Sequence, residues 1–176
     1  MKTNATWSTA PRDMGVAATT FRCDLTCKKA IKKATLCVSS MGNYALFLNG
    51  ERVGKGVLAP GWTSYKTRVL YQTYDVTDLV QGKIELSFGL GQGWAVGYIG
   101  YADTNHFFAD RTALWVCLDV TYADGTTERI TTDESWDIYT TETLYCELYD
   151  GQKVDFTKEI RFVGKAQMTE QPVPSL

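Results

Sequence analysis

Residues 41–54 read MGNYALFLNGERVG, and this stretch decides the fold class of the 176-residue chain. Apolar side chains alternate along Tyr44-Ala45-Leu46-Phe47-Leu48, which is the pattern of a half-buried β-strand. Asn49-Gly50 follows, and Asn-Gly between two strands is a strong hairpin signal because both central residues of a type I′ turn need positive φ. The segment therefore predicts an antiparallel hairpin whose second strand covers residues 51–54.

The same strand signal recurs along the rest of the chain. Short runs rich in Val, Ile, Thr, Tyr, Phe and Trp are separated by turn signals such as Pro60-Gly61 and Asp124-Gly125. Nine strands are predicted, over residues 18–25, 34–40, 44–48, 51–54, 68–74, 83–88, 114–122, 126–131 and 136–140. The pattern predicts an all-β chain that folds as an antiparallel β-sandwich, with two sheets packed face to face.

Helical periodicity is nearly absent, and this absence shapes the predicted domain organisation. One helical turn is predicted over residues 76–80, capped by Asp75, with Leu79 and Val80 facing the core. Residues 1–170 are predicted to form a single β-sandwich accessory domain. Residues 171–176, which begin with Gln-Pro-Val-Pro, are predicted to start a linker to a missing domain.

Composition and charge exclude several classes of partner. The net charge is −2 and only Lys28-Lys29 with Lys32-Lys33 approaches a basic cluster, which excludes a nucleic-acid role. No segment reaches the roughly 18 apolar residues of a membrane span, so no membrane partner is predicted. Residues 1–20 lack the apolar core of a signal peptide, and five cysteines are an odd number. Both features slightly favour a cytoplasmic location, although the compartment stays open.

Signals for catalysis are weak throughout the chain. The run Gly89-Leu90-Gly91-Gln92-Gly93 follows a strand, but residues 94–97 do not read as the helix opening that phosphate binding needs, so a tightly turned loop is predicted. His106 has no nucleophile in a recognisable turn near it in sequence. Glu142 and Glu147 are interpreted as solvated loop charges. No catalytic residue and no metal ligand is predicted.

Carbohydrate recognition fits the composition of two loops better. A pyranose offers an apolar face and a rim of hydroxyl groups, which proteins match with a flat aromatic ring and polar side chains. The turn at residues 59–65 and the long connection 89–113 supply these residue types. The predicted carbohydrate-binding residues are Trp62, Tyr65, Gln92, Trp94, Asp103 and Asn105. The alternative is that these rings pack under loops or against a neighbouring domain.

Six ordered motifs resemble the N-terminal domain of bacterial α-L-rhamnosidases, glycoside hydrolase family 78. They lie at residues 44–54, 58–65, 68–79, 89–94, 122–126 and 132–136. The resemblance runs from about residue 6 to about residue 155. It implies a jelly-roll sandwich like galactose-binding domains, and a parent enzyme that hydrolyses terminal α-L-rhamnosides in an (α/α)6 barrel. The catalytic residues of that barrel have no counterpart here.

The resemblance therefore implies a non-catalytic accessory domain that docks the catalytic barrel and other domains of the parent chain. It also implies rhamnose-containing glycans as a second class of partner. The alternative is a purely structural interface domain with no ligand of its own. The family's acidic segment that meets the rest of the enzyme is replaced here by residues 151–157, GQKVDFT.

No cofactor is predicted. Related modules that bind rhamnose through calcium carry an Asp-Asn pair before the hairpin, where this chain has Gly42-Asn43. A structural calcium ion remains the alternative.

Overall fold

The computed structural model describes residues 5–15, 17–100 and 104–169, so the predicted linker over 171–176 lies outside the described residues. Within this part of the chain no helix is long and apolar enough to cross a membrane. The elements are β1 (Ser8–Thr9), β2 (Thr19–Cys27), β3 (Ile31–Met41), β4 (Asn43–Leu48), β5 (Glu51–Arg52), β6 (Gln72–Asp75), β7 (Gly82–Gly91), α1 (Gly93–Val96), β8 (Ala113–Tyr122), β9 (Thr127–Thr131), β10 (Asp137–Thr140), β11 (Thr143–Glu147), β12 (Gly151–Val154), β13 (Phe162–Lys165) and β14 (Gln167–Met168).

The strands form two antiparallel sheets and one separate hairpin. The first sheet has the order β14-β1-β8-β3-β6, and β9 also pairs with β8. The second sheet has the order β13-β10-β2-β7-β4-β5, while β11 and β12 pair only with each other. Strand β1 pairs with β14, so the first and last described strands lie side by side. The prediction of an all-β antiparallel sandwich is confirmed.

The main core lies between the two sheets because alternate residues of each strand point inward. On β7 the inward residues run from Ile84 to Leu90 at every second position, and on β8 they run from Leu114 to Val120. Trp136 also belongs to this core, and its ring centroid lies 5.8 Å from that of Phe88. The sandwich is therefore held mainly by side chains that the alternating pattern identifies.

A second, smaller core lies under the connection between β7 and β8. It contains the buried residues Met41, Tyr65, Val69, Ala95, Val96, Ala109 and Ala113, with Trp7, Trp94 and Phe108 packed against them. These residues come from four separate stretches of the chain. The long connection is thus packed down on a core of its own.

Each of the nine predicted strands has a counterpart, although several ends differ. The strand predicted from residue 68 begins only at Gln72, because residues 64–68 form a turn in which the Arg68 N–H donates to the Ser64 carbonyl at 3.0 Å. Five short strands lie outside the predicted set, namely β1, β11, β12, β13 and β14. Most side chains of the last four are partly or fully exposed, so these strands lack the alternating apolar pattern. Strand β1 consists of two buried polar residues, which also give no apolar pattern.

The predicted hairpin turn and the predicted helical turn both form, but one side chain does not point as predicted. Asn49 and Gly50 have φ of 50° and 81°, which confirms the type I′ turn between β4 and β5. The N–H groups of Leu79 and Val80 both donate to the Val76 carbonyl, which confirms a single helical turn. Val80 is buried, but Leu79 is 41% exposed, so the prediction that Leu79 faces the core is wrong.

Candidate functional site

The turn that carries Trp62 is fixed by hydrogen bonds to two strands. The Tyr44 N–H donates to the Ala59 carbonyl at 2.8 Å, and Gln72 Nε2 donates to the Pro60 carbonyl at 3.1 Å. These bonds hold the backbone directly before Trp62, whose side chain is 55% exposed. The turn therefore presents a large ring to solvent from a rigid support.

Trp62 stacks on Trp94, which joins the turn to the long connection. The two ring centroids lie 6.0 Å apart with an interplanar angle of 13°. Trp94 belongs to α1 and packs against the second core, so it is the fixed member of the pair. The structure thus brings together two of the predicted carbohydrate-binding residues, and the outward one offers a flat surface.

Tyr65 does not share this surface. Its side chain is only 1% exposed, its ring lies 5.1 Å from that of Phe108, and its hydroxyl donates to the Gly61 carbonyl at 3.1 Å. Burial raises the pKa of Tyr65 to about 12. The prediction that Tyr65 contacts sugar does not agree with this position, because the residue is part of the second core.

The three polar residues predicted to surround the rings differ in where the structure places them. Gln92 is buried, and its Nε2 donates to the Gly15 carbonyl at 3.1 Å, so it ties the long connection to the N-terminal segment and is not available to a ligand. Asn105 is exposed on the same connection as Trp94. Asp103 lies outside the described residues. Trp62, Trp94 and Asn105 remain as candidate contacts.

The long connection is ordered by a buried carboxylate that sequence reasoning missed. Glu147 is buried, and it accepts hydrogen bonds from the Tyr98 N–H at 2.8 Å and from the Tyr149 N–H at 2.7 Å. It therefore links the connection to the β11–β12 hairpin, and its interpretation as a solvated charge is wrong. A Glu at the end of a strand-like run carries no signal for this role.

The glycine-rich run also differs from its prediction. Residues 93–96, whose sequence does not predict a helix opening, form the single turn α1. The Gly97 N–H donates to the Gly93 carbonyl at 2.9 Å, and the Ala109 N–H donates to the Ala95 carbonyl at 3.0 Å. The turn positions Trp94 against the second core. It is one turn long and offers no extended set of free N–H groups for a phosphate.

A cleft of about 490 Å³ lies between the β11–β12 hairpin and the outer face of β4 and β7. Its floor is made by small residues, since Ala45 is the register partner of Gly89. A side chain at Gly91 would meet the Cys146 sulfur at 2.9 Å, so the hairpin packs closely only because this position is glycine. Glycines that alternate with Phe88 and Leu90 are the sequence signal by which this cleft could have been found.

The residues before the hairpin do not reproduce the calcium-binding pair of the related modules. Gly42 supplies no carboxylate, and a side chain built there would overlap the Gly91 carbonyl oxygen. Asn43 Oδ1 is buried without a hydrogen-bond donor among the described residues, but one amide oxygen is far from the six to eight oxygen ligands that calcium takes. The described residues also contain no group of three or more His, Cys, Asp or Glu side chains placed to hold a metal.

Comparisons with known proteins agree with this architecture. The family model described as "Alpha-L-rhamnosidase N-terminal domain" matches residues 29–173. An α-L-rhamnosidase of Streptomyces avermitilis is 42% identical over 132 residues, which cover 74% of this chain and 13% of that protein. The crystal structure of a Streptomyces avermitilis α-L-rhamnosidase complexed with L-rhamnose matches with a TM-score of 0.83 and 36% identity, over 90% of this chain and 16% of that one.

A native α-L-rhamnosidase from Aspergillus terreus matches with a TM-score of 0.85 and 29% identity, over 95% of this chain and 21% of that one. The chain thus corresponds to a small part of each of these relatives. The family model covers well over half of the chain, and its description agrees with the motifs and the sandwich described above. The chain belongs to the α-L-rhamnosidase N-terminal domain family.

Proposed function

We propose that this chain acts as a non-catalytic accessory domain of a longer α-L-rhamnosidase-like glycoside hydrolase, and that the surface around Trp62 binds carbohydrate. The observation that carries the carbohydrate proposal is the stacked pair of Trp62 and Trp94. One ring is held by the second core, and the other rests on it with more than half of its side chain exposed.

A stacked and anchored indole suits the apolar face of a pyranose. Its ring loses little conformational freedom on binding, because the stack and the fixed turn already restrict it. Asn105 adds an exposed amide on the connection that also carries Trp94, and an amide can donate to and accept from sugar hydroxyls. Such a site uses one ring and a few hydrogen bonds, so millimolar affinity, about −4 kcal/mol, is expected.

The non-catalytic role is supported by how small a part of its relatives the chain matches. It corresponds to 13% of the Streptomyces avermitilis relative and to 16% of an α-L-rhamnosidase from Alteromonas. The family resemblance assigns rhamnoside hydrolysis to a separate (α/α)6 barrel. We accordingly propose that hydrolysis is carried out elsewhere in the parent chain, and that this domain contributes binding or assembly.

Titration of the ¹⁵N-labelled domain with L-rhamnose tests the carbohydrate site. Saturable shifts are expected for the indole N–H signals of Trp62 and Trp94, with a midpoint in the millimolar range. The titration is expected to be the same with and without calcium, because Gly42 supplies no carboxylate. Trp62→Ala is expected to remove the saturable shifts while the remaining backbone spectrum stays folded.

Phe156→Ala is the matched control, since it removes an aromatic ring that is 87% exposed and lies on another loop. Binding by this variant is expected to equal that of the wild type. A wild-type spectrum that does not change at tens of millimolar sugar would refute the carbohydrate site and leave the assembly role. A response that survives in Trp62→Ala would move the site away from this ring.

Docking to the catalytic barrel is the second proposed role, and a specific apolar surface favours it. Phe156, Ile160 and Phe162 are all more than half exposed on and before the edge strand β13. Phe162 packs edge-to-face with Tyr139, with ring centroids 5.7 Å apart. Exposed apolar side chains grouped at a sheet edge are typical of a surface that another domain covers.

Hydrogen exchange compares this surface in the domain alone and in the full parent chain. Amides of residues 156–162 are expected to exchange at least roughly tenfold more slowly in the parent chain, because the barrel would exclude water from them. The exposed turn at residues 124–126 is the internal control and is expected to exchange equally in both. Equal exchange at both places would show that the barrel docks elsewhere or not at all.

A further inference from the structure

Two of the five free cysteines face each other across neighbouring strands. Cys37 on β3 is the direct register partner of Cys117 on β8. The remaining three have other partners, since Cys23 lies opposite Leu86, Cys27 opposite Gly82 and Cys146 opposite Gln152. One pair of thiols is therefore placed together by the sheet, and the other cysteines are separated from it and from one another.

Direct opposition in an antiparallel sheet gives a spacing that a disulfide can bridge. The two Cα atoms of such a pair lie about 4.5 or 5.5 Å apart, depending on whether the pair is hydrogen-bonded. The Thr132 N–H donates to the Val116 carbonyl and the Val76 N–H donates to the Ala34 carbonyl, so the backbone groups of Cys117 and Cys37 face each other. The pair is therefore the hydrogen-bonded kind, with Cα atoms about 5.5 Å apart. Disulfides span Cα distances of about 4.4–6.8 Å and Cβ distances of about 3.5–4.5 Å, so the Cα spacing is suitable and the two Cβ atoms must approach each other for the bond to form. Both side chains lie on the outer face of the first sheet, because their neighbours Leu36 and Leu118 point into the core.

The two thiols differ in access. Cys37 is half-buried, and its sulfur lies 3.6 Å from Thr73 Oγ1 on the side of β6. Rotation about χ1 brings this unbranched side chain toward β8. Cys117 is buried, and burial, followed by the charge of Asp119, raises the pKa of its thiol, while Arg129 opposes this shift. An oxidant in solution therefore reaches Cys37 first.

We infer that Cys37 and Cys117 form a dithiol site that a small-molecule disulfide, such as oxidised glutathione, converts into an intramolecular disulfide across β3 and β8. The Cys37 thiolate attacks the reagent, forms a mixed disulfide and releases one glutathione thiolate. The Cys117 thiolate then attacks the Cys37 sulfur and releases the second. Two protein thiols are oxidised, two protons leave, and one oxidised glutathione is reduced to two thiols. This site is independent of carbohydrate binding and of docking.

The test treats the folded protein with excess oxidised glutathione under native conditions and then counts thiols and maps peptides. The number of free thiols is expected to fall from five to three, with loss of two hydrogen atoms from the intact mass and a cross-linked peptide joining Cys37 to Cys117. Cys117→Ser is expected to stop at a glutathione adduct on Cys37. Cys37→Ser is expected to form no bridge.

Cys146→Ser is the matched control, because it removes another half-buried thiol on a hairpin that has no cysteine opposite it. It is expected to form the bridge as the wild type does. A wild-type protein that keeps five thiols, retains glutathione on Cys37 or bridges other cysteines would overturn the inference. If Cys117→Ser does not fold, Cys117→Ala replaces it, because a small apolar side chain suits the buried position.

Discussion

Trp136→Ala is expected to lower the free energy of unfolding of this domain by about 3–5 kcal/mol, the range for truncating a large core aromatic. Trp136 is 1% exposed, packs against Phe88 in the main core, and donates its indole N–H to the Thr131 carbonyl at 3.1 Å. The substitution leaves a cavity in the main core and removes the hydrogen-bond partner of the Thr131 carbonyl group. With a typical total stability of about 5–15 kcal/mol, this loss consumes a large part of it.

Trp62→Ala is the matched control, because it deletes the same side chain from an exposed position. It is expected to cost at most about 1.5 kcal/mol, the contribution of an aromatic pair. Urea denaturation followed by far-ultraviolet circular dichroism measures both variants without relying on tryptophan fluorescence. Equal losses in the two variants would contradict the assignment of Trp136 to the core and of Trp62 to the surface.

Gly42→Ala is expected to be the second strongly destabilising change, at about 3 kcal/mol or more. Gly42 lies between β3 and β4 and has φ of 118°, a backbone conformation that residues with a side chain rarely adopt. An added Cβ would overlap the Gly91 carbonyl oxygen and would lie 3.1 Å from Thr112 Cγ2. The backbone of β4 or β7 must move to accept it, since the nearest obstacle is main chain.

Two further glycines separate the conformational cost from the steric cost. Gly50 has φ of 81° but open space where a Cβ would lie, so Gly50→Ala is expected to cost only about 1–2 kcal/mol. Gly56 has neither positive φ nor a close neighbour, so Gly56→Ala is expected to be neutral or slightly stabilising. Thermal unfolding ranks the three variants. If the Gly42→Ala protein were as stable as the Gly50→Ala protein, the backbone of β4 or β7 would be able to shift at this position at little cost in free energy, which would contradict the prediction.

The strands were predictable from the sequence because their cause is local. Apolar residues alternate on β7 because one of its faces is buried and the other is only partly buried, whereas the first six residues of β8 form a continuous apolar run that is buried on both faces. Either pattern is visible without any knowledge of the partners. The short strands β12 and β13 could not be found in this way. Their side chains are mostly exposed, so their pairing depends on where the neighbouring strands bring the backbone.

The candidate site was only partly predictable, because its division into surface and core is set by distant residues. Trp62 and Tyr65 are three positions apart in one turn, yet one is exposed and the other is buried against Phe108. Gln92 is buried because its amide reaches the Gly15 carbonyl, 77 residues away in sequence. Such long-range contacts leave no pattern in the local sequence. Aromatic and polar residues in loops therefore indicate that a binding surface exists, but not which of these residues are exposed on it.

The pairing of β1 with β14 has a mechanical consequence. Ser8 lies opposite Met168, Thr9 lies opposite Gln167, and the Thr169 N–H donates to the Trp7 carbonyl at 2.9 Å. A tension that pulls residues 7 and 169 apart therefore opens these bonds one after another, as in unzipping. Because β1 also pairs with β8 through Ser8 and Leu114, the load reaches the rest of the first sheet only after this short ladder has parted.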